Sequence, residues 1–339
     1  MILTYKIRHG RDLTEELHKA KQVAEYAIRT KSRSSADVKH IGLKSVIANQ
    51  ILKKYSTNKR AKKVRHVLLT IPNQAIKVNK ENKTINISCL KLELNYQFKD
   101  NFEKINQIEL DREYAFVSVT IPEQELVKVT GYLGVDLNTT VHNVVVGDPV
   151  TGKVLKMGKS CEHVHTKYKN MRKDLQKKGK FGRLKKIKGR ESRIIRDKNH
   201  KMSRKIVDMA KELNRGIKLE ALDGIRQTAK SSRYSRYGLN SWSFYQLQQM
   251  IEYKAKLLGI PVERIDPQYT SQECSRCGLL GNRNGKIFQC PHCNHVENAD
   301  VNASFNIALR PPLAEGASQS TVDRDAVEGT TDSPKEAMA

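Results

Sequence analysis

Four cysteines and three acids carry the chemistry in this chain. Cys274, Cys277, Cys290 and Cys293 stand as Cys-x2-Cys, twelve residues, Cys-x2-Cys. That spacing lets two tight turns present four thiolates to one tetrahedral zinc ion, and Gly278 and Pro291 supply turn residues at the two knuckles. Four thiolates leave no open position for water, so the site reads as structural. The competing readings are four unrelated thiols or two disulfides. His292, beside the pattern, stays open as an alternative fourth ligand.

The acids are scattered. Asp136 lies inside an apolar strand pattern, where a carboxylate is costly unless it is paired, hydrogen-bonded or metal-bound. An Asx-turn preceding Asn138 is the plainer explanation. Glu220 closes the short apolar run Gly-Ile-Lys-Leu-Glu. Asp300 opens a helical pattern over 301–309, with Val301, Phe305 and Leu309 spaced for a buried stripe. Helix capping would explain Asp300 by itself. Three carboxylates drawn from distant segments to one point would repel, and divalent cations make such a cluster tolerable. Two magnesium ions there would activate a water and stabilise the leaving oxygen during in-line attack on a phosphodiester.

The elements that must position these groups can be read from hydrophobic period and turn signals. Residues 132–155 read as three successive strands joined by short turns. The stretch 167–205 is helix-compatible, holds eighteen Lys and Arg against three acids, and is interrupted by Gly179, Gly182 and Gly189. Phosphates would neutralise it, and a partly disordered solvated hairpin is the alternative. Its second arm carries Ile195, Met202, Ile206, Met209, Ala210 and Leu213 at helical spacing. A strand at 216–220, a polar loop at 225–240, a helix at 242–258 and a strand at 260–265 follow, and the cysteine stretch then leads into the last helix. This is the order of an α/β, RNase H-like domain with acids on its first strand, fourth strand and last helix. Asp136, Glu220 and Asp300 occupy those places.

Before residue 130 the pattern differs. A strand at 2–8, an amphipathic helix from 12 or 14 to 28 and a second helix over 37–55 precede a basic linker at 56–63. Alternating segments at 65–78, 84–94 and 114–121 then predict a β-rich module with a helical insertion at about 10–63. Basic residues interleaved with Tyr5 and Tyr26 suit phosphate contact and base stacking, although a solvated charged face explains any one of them. Residues 311–339 are small, polar and acidic, and read as a disordered tail.

A net charge of +26 over 339 residues and a pI near 9.8 make a polyanion the expected partner. Nucleic acid is favoured over a membrane, because no long apolar run or lipidation signal occurs. The opening residues lack the apolar core of a signal peptide, so the chain is expected to stay in the cytoplasm, where reduced cysteines fit. Cys89 and Cys161 are left as ordinary thiols.

Five stretches together resemble one family. Gly-Val-Asp-Leu-Asn-Thr-Thr, Lys-Leu-Glu-Ala-Leu-Asp-Gly-Ile-Arg, Tyr-Lys-Ala-Lys-Leu-Leu-Gly-Ile-Pro-Val, Tyr-Thr-Ser-Gln-Glu-Cys-Ser-Arg-Cys-Gly and Ala-Asp-Val-Asn-Ala-Ser-Phe-Asn-Ile are similar to the RuvC-type core of the TnpB family. The resemblance covers about 132–310 and thins before residue 130. It implies a nuclease domain at 131–310 with a zinc ribbon at 269–298, preceded at 1–130 by a β-rich wedge-like module with a helical recognition insertion. By this resemblance Asp136, Glu220 and Asp300 are the catalytic acids, holding magnesium for which manganese substitutes, and the four cysteines hold one structural zinc. It further implies an RNA-guided DNA endonuclease carried by an insertion sequence, with a transposon-derived guide RNA and a DNA target beside a short flanking motif. A monomer in a prokaryotic cytoplasm, associated with the nucleoid when on DNA, is expected. A nuclease-silent RNA-guided repressor and a recombinase acting directly in transposition are the alternative functions.

Overall fold

A computed structural model describes residues 1–58, 61–99, 101–138, 142–222 and 244–313. The chain divides into two units, Met1–Glu123 and Gln124–Ala339. The expected loop at 225–240, the start of the expected helix at Trp242, and the tail from 314 onward lie outside the described residues.

The first unit begins with strand β1 (Ile2–Arg8) and helix α1 (Thr14–Thr30), which buries Ala20, Val23, Ala24 and Ala27. The helix expected at 37–55 is shorter than its pattern. A 3-10 turn covers Ser35–Ile41, Gly42 takes a left-handed conformation (φ 74°), and α2 runs only over Ser45–Ser56. The alternating run at 65–78 is also two strands, β2 (Leu69–Pro72) and β3 (Ile76–Asn79), in different sheets. Pro72 has no N–H to continue a ladder, and a 3-10 turn at Asn73–Ala75 redirects the chain. Strands β4 (Thr84–Ile87) and β5 (Leu92–Asn95) complete an antiparallel sheet with β3. Strands β6 (Lys104–Leu110) and β7 (Tyr114–Thr120) join the other, ordered β1-β7-β6-β2 and antiparallel throughout. Strand β6 has no counterpart among the sequence expectations.

The second unit is a mixed α/β structure. Strands β8 (Tyr132–Leu137), β9 (Val144–Gly147) and β10 (Val154–Met157) form an antiparallel meander. The basic run forms helices α3 (Lys159–Lys177), α4 (Phe181–Ile187) and α5 (Arg190–Glu212). Gly179 and Gly189 are left-handed and separate these helices, whereas Gly182 lies inside α4. Strand β11 (Gly216–Glu220) returns parallel to β8, helix α6 (Phe244–Lys256) crosses over, and β12 (Val262–Ile265) adds parallel to β11. The sheet order is β10-β9-β8-β11-β12.

Alternation along the strands separates two faces. Leu133, Val135, Leu137, Val144, Val146, Ile217 and Leu219 point into an apolar core shared with Ile195, Met202, Ile206 and Val207 of α5 and Leu247 and Ile251 of α6. The opposite face carries Gly134, Asp136, Lys218 and Glu220 and receives the last helix, α7 (Ala299–Leu309). Between β12 and α7 the chain makes a small antiparallel sheet, β13 (Asn282–Asn284), β14 (Ile287–Gln289) and β15 (Val296–Asn298), built around fully buried Phe288. Among the described residues no helix is long and apolar enough to cross a membrane.

Candidate active site and metal centre

Two glycines set how closely α7 lies on the sheet. A Cβ at Gly134 would overlap the backbone carbonyl of Ser304 and stand 2.6 Å from the nitrogen of Ala308. One at Gly147, paired with Gly134 across β8–β9, would meet the Phe305 ring at 2.7 Å. The helix backbone therefore rests on the strand backbone. This corrects the expected stripe: Val301 is buried, but Leu309 is 61% exposed, and small Ser304 and Ala308 meet Gly134 in the contact. Large side chains would hold the helix away.

That contact carries the acids. Asp136 follows Gly134 by two residues, so it points to the same face, about 6.6 Å along the strand. Asp300 precedes Ser304 by four residues, one turn or about 6 Å along the helix. The register of β8 with β11 pairs Gly134 with Lys218 and Val135 with Leu219, and the next step on both strands sets Asp136 beside Glu220. All three carboxylates are buried, at 8%, 8% and 3% exposure for Asp136, Glu220 and Asp300.

Their electrostatics reflect this meeting. Burial first, and then the neighbouring Glu220 and Asp300, push the pKa of Asp136 up to about 7, against the hydrogen bond from Asn138 and the charge of Arg283. Burial also raises Glu220, opposed by its hydrogen bond from Thr270 and by Arg310. The polar partners are specific. Asn138 Nδ2 donates to Asp136 Oδ2 at 2.6 Å, while its own backbone N–H goes to the Asn143 carbonyl. Asp136 is thus not the anchor of an Asx-turn to Asn138. Thr270 Oγ1 donates to Glu220 Oε1 at 2.6 Å, and Gln248 Nε2 holds the Glu220 carbonyl at 2.8 Å. Helix α7 is capped by Asn298, whose side chain accepts from the Val301 N–H. Asp300 instead accepts from Lys286 Nζ at 2.6 Å and Arg283 Nη2 at 3.2 Å.

The four cysteines converge as their spacing predicts. Their sulfurs all lie within 4.8 Å of one another, and neither His292 nor His295 belongs to the set. Cys274 and Cys293 sulfurs are 3.6 Å apart and those of Cys277 and Cys290 3.5 Å, with all four thiols free. A tetrahedral ion with about 2.3 Å bonds separates its sulfurs by about 3.8 Å, so the thiols fit zinc and do not form disulfides. Burial opposes ionisation of Cys290, but the backbone N–H groups of Cys293 and His292 and its neighbouring thiols outweigh it and bring the pKa down to about 6. Gly278 is left-handed in the first knuckle, as a turn there requires; in the second the left-handed residue is Asn294 rather than a residue supplied by Pro291.

The residues joining ribbon and acids were absent from the sequence expectations. Asn302 Nδ2 and Asn306 Nδ2 both donate to the Glu273 carbonyl, Asn302 Oδ1 accepts from the Ser275 N–H, and Asn306 also holds the Thr270 carbonyl. The signal was available: two asparagines four apart in an otherwise apolar helix are costly to bury without such partners. Arg283 and Lys286, on the β13–β14 hairpin, carry no local signal, because only the folded ribbon brings them to Asp300. Among the described residues the thiols are the one set of three or more metal-ligating side chains that close together; the carboxylates stand farther apart, with Asp300 engaged by those two cations.

Fold and site thus define an α/β protein with two buried acids on one sheet face, a third on the helix that covers it, and a four-thiol ribbon beside them. Residues 244–307, from α6 through the ribbon into α7, match the family model for the Cas12f1-like TNB domain. The chain is 30% identical over 255 residues to the TnpB-like protein MJ0751 of Methanocaldococcus jannaschii, covering 71% of this chain and 88% of that one. It belongs to the TnpB-like proteins. It is also 37% identical over 206 residues, 56% of its length, to a CRISPR-associated endodeoxyribonuclease Cas12f1 of Sulfoacidibacillus thermotolerans, and that alignment spans 47% of the longer relative. Among solved structures, a Cas12f1-sgRNA-target DNA complex aligns with 91% of this chain and 99% of that chain, at 19% identity and a TM-score of 0.46.

Proposed function

We propose that this protein is an RNA-guided DNA endonuclease encoded by an insertion sequence, with Asp136, Glu220 and Asp300 as its catalytic acids. The observation that carries this reading is the meeting of the three carboxylates on one buried face. A domain needing only stability would not bring three acids to one buried face, where burial and the neighbouring acids lift Asp136 to a pKa of about 7. Membership of the TnpB-like proteins and similarity to a relative named an endodeoxyribonuclease support it. The sheet order β10-β9-β8-β11-β12, antiparallel then parallel, supports an RNase H-like, RuvC-type domain.

The donor set suits magnesium: hard carboxylate oxygens, buried and unable to share one point as anions. Magnesium, when bound, supplies the activation of water and the stabilisation of the leaving oxygen in phosphodiester hydrolysis. The chain's own residues arrange the rest. Asp136 and Glu220 are held rigidly on paired strands, with Asn138 and Thr270 fixing one oxygen of each. Asp300 arrives on α7, whose approach Gly134 and Gly147 allow. Zinc on Cys274, Cys277, Cys290 and Cys293 would lock the ribbon that Asn302 and Asn306 tie to this helix. Guide RNA and target DNA are the partners for the basic helices α3 to α5, and residues 1–130 serve as a wedge-like module with a recognition insertion at about 10–63.

The test incubates the protein and its copurified RNA with matched plasmid targets carrying randomised flanks. The parent should cut with magnesium or manganese. Asp136→Ala, Glu220→Ala and Asp300→Ala should each lose cleavage by on the order of 10²–10³ or more while retaining target binding. Binding without cutting by the parent would return the repressor reading, and strand joining at transposon ends without RNA the recombinase reading.

A further inference from the structure

The segment that enters the ribbon, 266–275, is strapped to α7 by residues spaced four apart, Asn302, Asn306 and Arg310. Arg310 Nη1 donates to the Asp266 carbonyl at 2.8 Å and to that of Gln268, and its Nη2 meets Glu273 Oε2 at 2.7 Å. Asn306 Nδ2 holds the Thr270 and Glu273 carbonyls at 2.8 and 2.7 Å, and Asn302 Oδ1 accepts from the Ser275 N–H at 2.9 Å. The helix that brings Asp300 thus also fixes this segment.

At the centre of the strap the backbone is strained. Tyr269 has φ 60°, left-handed and costly for a bulky residue. Its ring is 48% exposed, so packing of the ring does not explain the conformation. Its carbonyl closes a turn by accepting from the Gln272 and Glu273 N–H groups. The consequence lies one residue on, where Thr270 is buried against Glu220.

The Thr270 hydroxyl has one proton to donate. Glu220 Oε1 stands 2.6 Å away and the Pro267 carbonyl 3.1 Å, and the shorter, charge-assisted contact takes it. Strand β11 and Gln248 fix only the backbone of Glu220, and its carboxylate lies several rotatable bonds away. Among the described residues no other donor reaches that carboxylate, so Oε1 is held by the strap and Oε2 is left for a cation.

We infer that Thr270 is a positioning residue for the cleavage site, its hydroxyl fixing the Glu220 carboxylate in the orientation that receives magnesium. This rests on the reading of Asp136, Glu220 and Asp300 as metal-holding acids, and adds the residue that orients one of them. A hydrogen-bond partner behind a metal ligand governs affinity, and its loss costs about 10- to 100-fold.

The experiment measures manganese binding to the full-length protein without DNA, from the loss of the free-ion electron paramagnetic resonance signal. Two pairs remove the hydroxyl and little else: parent against Thr270→Val, and Thr270→Ser against Thr270→Ala. Asp136→Ala marks the binding that belongs to the acids. Each variant without the hydroxyl should bind this manganese roughly 10- to 100-fold more weakly than its hydroxyl-bearing partner, with Thr270→Ser near the parent. In cleavage, the magnesium needed for half-maximal rate should rise by a like factor, with a smaller change in the rate at saturating magnesium. Zinc content and melting temperature separate this from a folding defect; should Thr270→Val melt early, the Ser and Ala pair decides. Equal manganese affinity within the pairs overturns the assignment of Thr270 while the nuclease reading stands. If the parent binds no manganese that Asp136→Ala loses, the metal reading of the acids falls and Thr270 with it.

Discussion

Asp136 and Glu220 stand side by side on neighbouring parallel strands, one step beyond the Val135–Leu219 pair. Strand β11 ends at Glu220 and β8 one residue past Asp136, so the two carboxylates lie at the carboxyl ends of their strands, where side chains from other segments can enter. Burial and the charge of Glu220 raise Asp136 to about 7, and this repulsion is the property most open to measurement.

Stability should depend on pH through Asp136. Its folded pKa of about 7 exceeds its ordinary value of 3.8, so between those values the folded chain keeps a proton that the unfolded chain releases. Stability then falls as pH rises through that window, and the full deficit stands above pH 7. Without added divalent metal, Asp136→Asn should stabilise the protein at pH 8 by on the order of 2–4 kcal/mol and by little at pH 4. Melting curves that show the same difference at both pH values would remove the repulsion.

Gly134→Ala tests the contact that delivers Asp300. The new Cβ would meet the backbone of Ser304 and Ala308, which cannot swing aside as a side chain can. A loss of about 3 kcal/mol or more is expected in urea unfolding, at the upper end of overpacking effects. Wild-type stability would mean that α7 does not lie this close to β8.

Lys286→Met leaves a buried carboxylate with one cation fewer. The Lys286–Asp300 pair at 2.6 Å is shielded on the acid side, and the variant should lose about 1–3 kcal/mol. Millimolar magnesium should recover much of that loss by supplying the missing positive charge. Thermal shifts with and without magnesium decide it; a loss that magnesium leaves untouched would speak against a metal at Asp300.

Cys290→Ser should abolish tight zinc binding, from about one ion per chain to none, and lower the melting temperature. Elemental analysis of the purified parent is the check. A parent free of zinc, or a variant equally stable, would sink the ribbon assignment.

The basic helices should make nucleic-acid binding steeply salt-dependent. Charge reversal of exposed Lys185 and Lys186 on α4 should reduce the slope of log affinity against log salt by about 2, near one per lysine. An unchanged slope places the phosphates elsewhere.

Much of this was legible in the sequence because it depends on local period and spacing. The paired knuckles, the alternation of β8, the apolar face of α5 and the strand ending at Glu220 all follow from side-chain pattern along one element. Where the pattern misled, a local backbone constraint intervened: Gly42 delays α2, and Pro72 splits one alternating run into two sheets. The stripe on α7 failed for a different reason. Periodicity assumes that apolar bulk marks the buried side, whereas Gly134 and Gly147 bring two backbones together and reverse the preference to small residues.

By itself, then, the sequence singled out four thiols and three acids and gave the order of the elements that present them. Only tertiary structure decided the partners. The cap of α7 is Asn298, Asp300 faces Arg283 and Lys286, and Asn302 and Asn306 tie the ribbon to the helix. The physical reason is range: period and turn propensity act over a few residues, while burial, ion pairing and hydrogen-bond satisfaction depend on neighbours that meet only once the chain has closed.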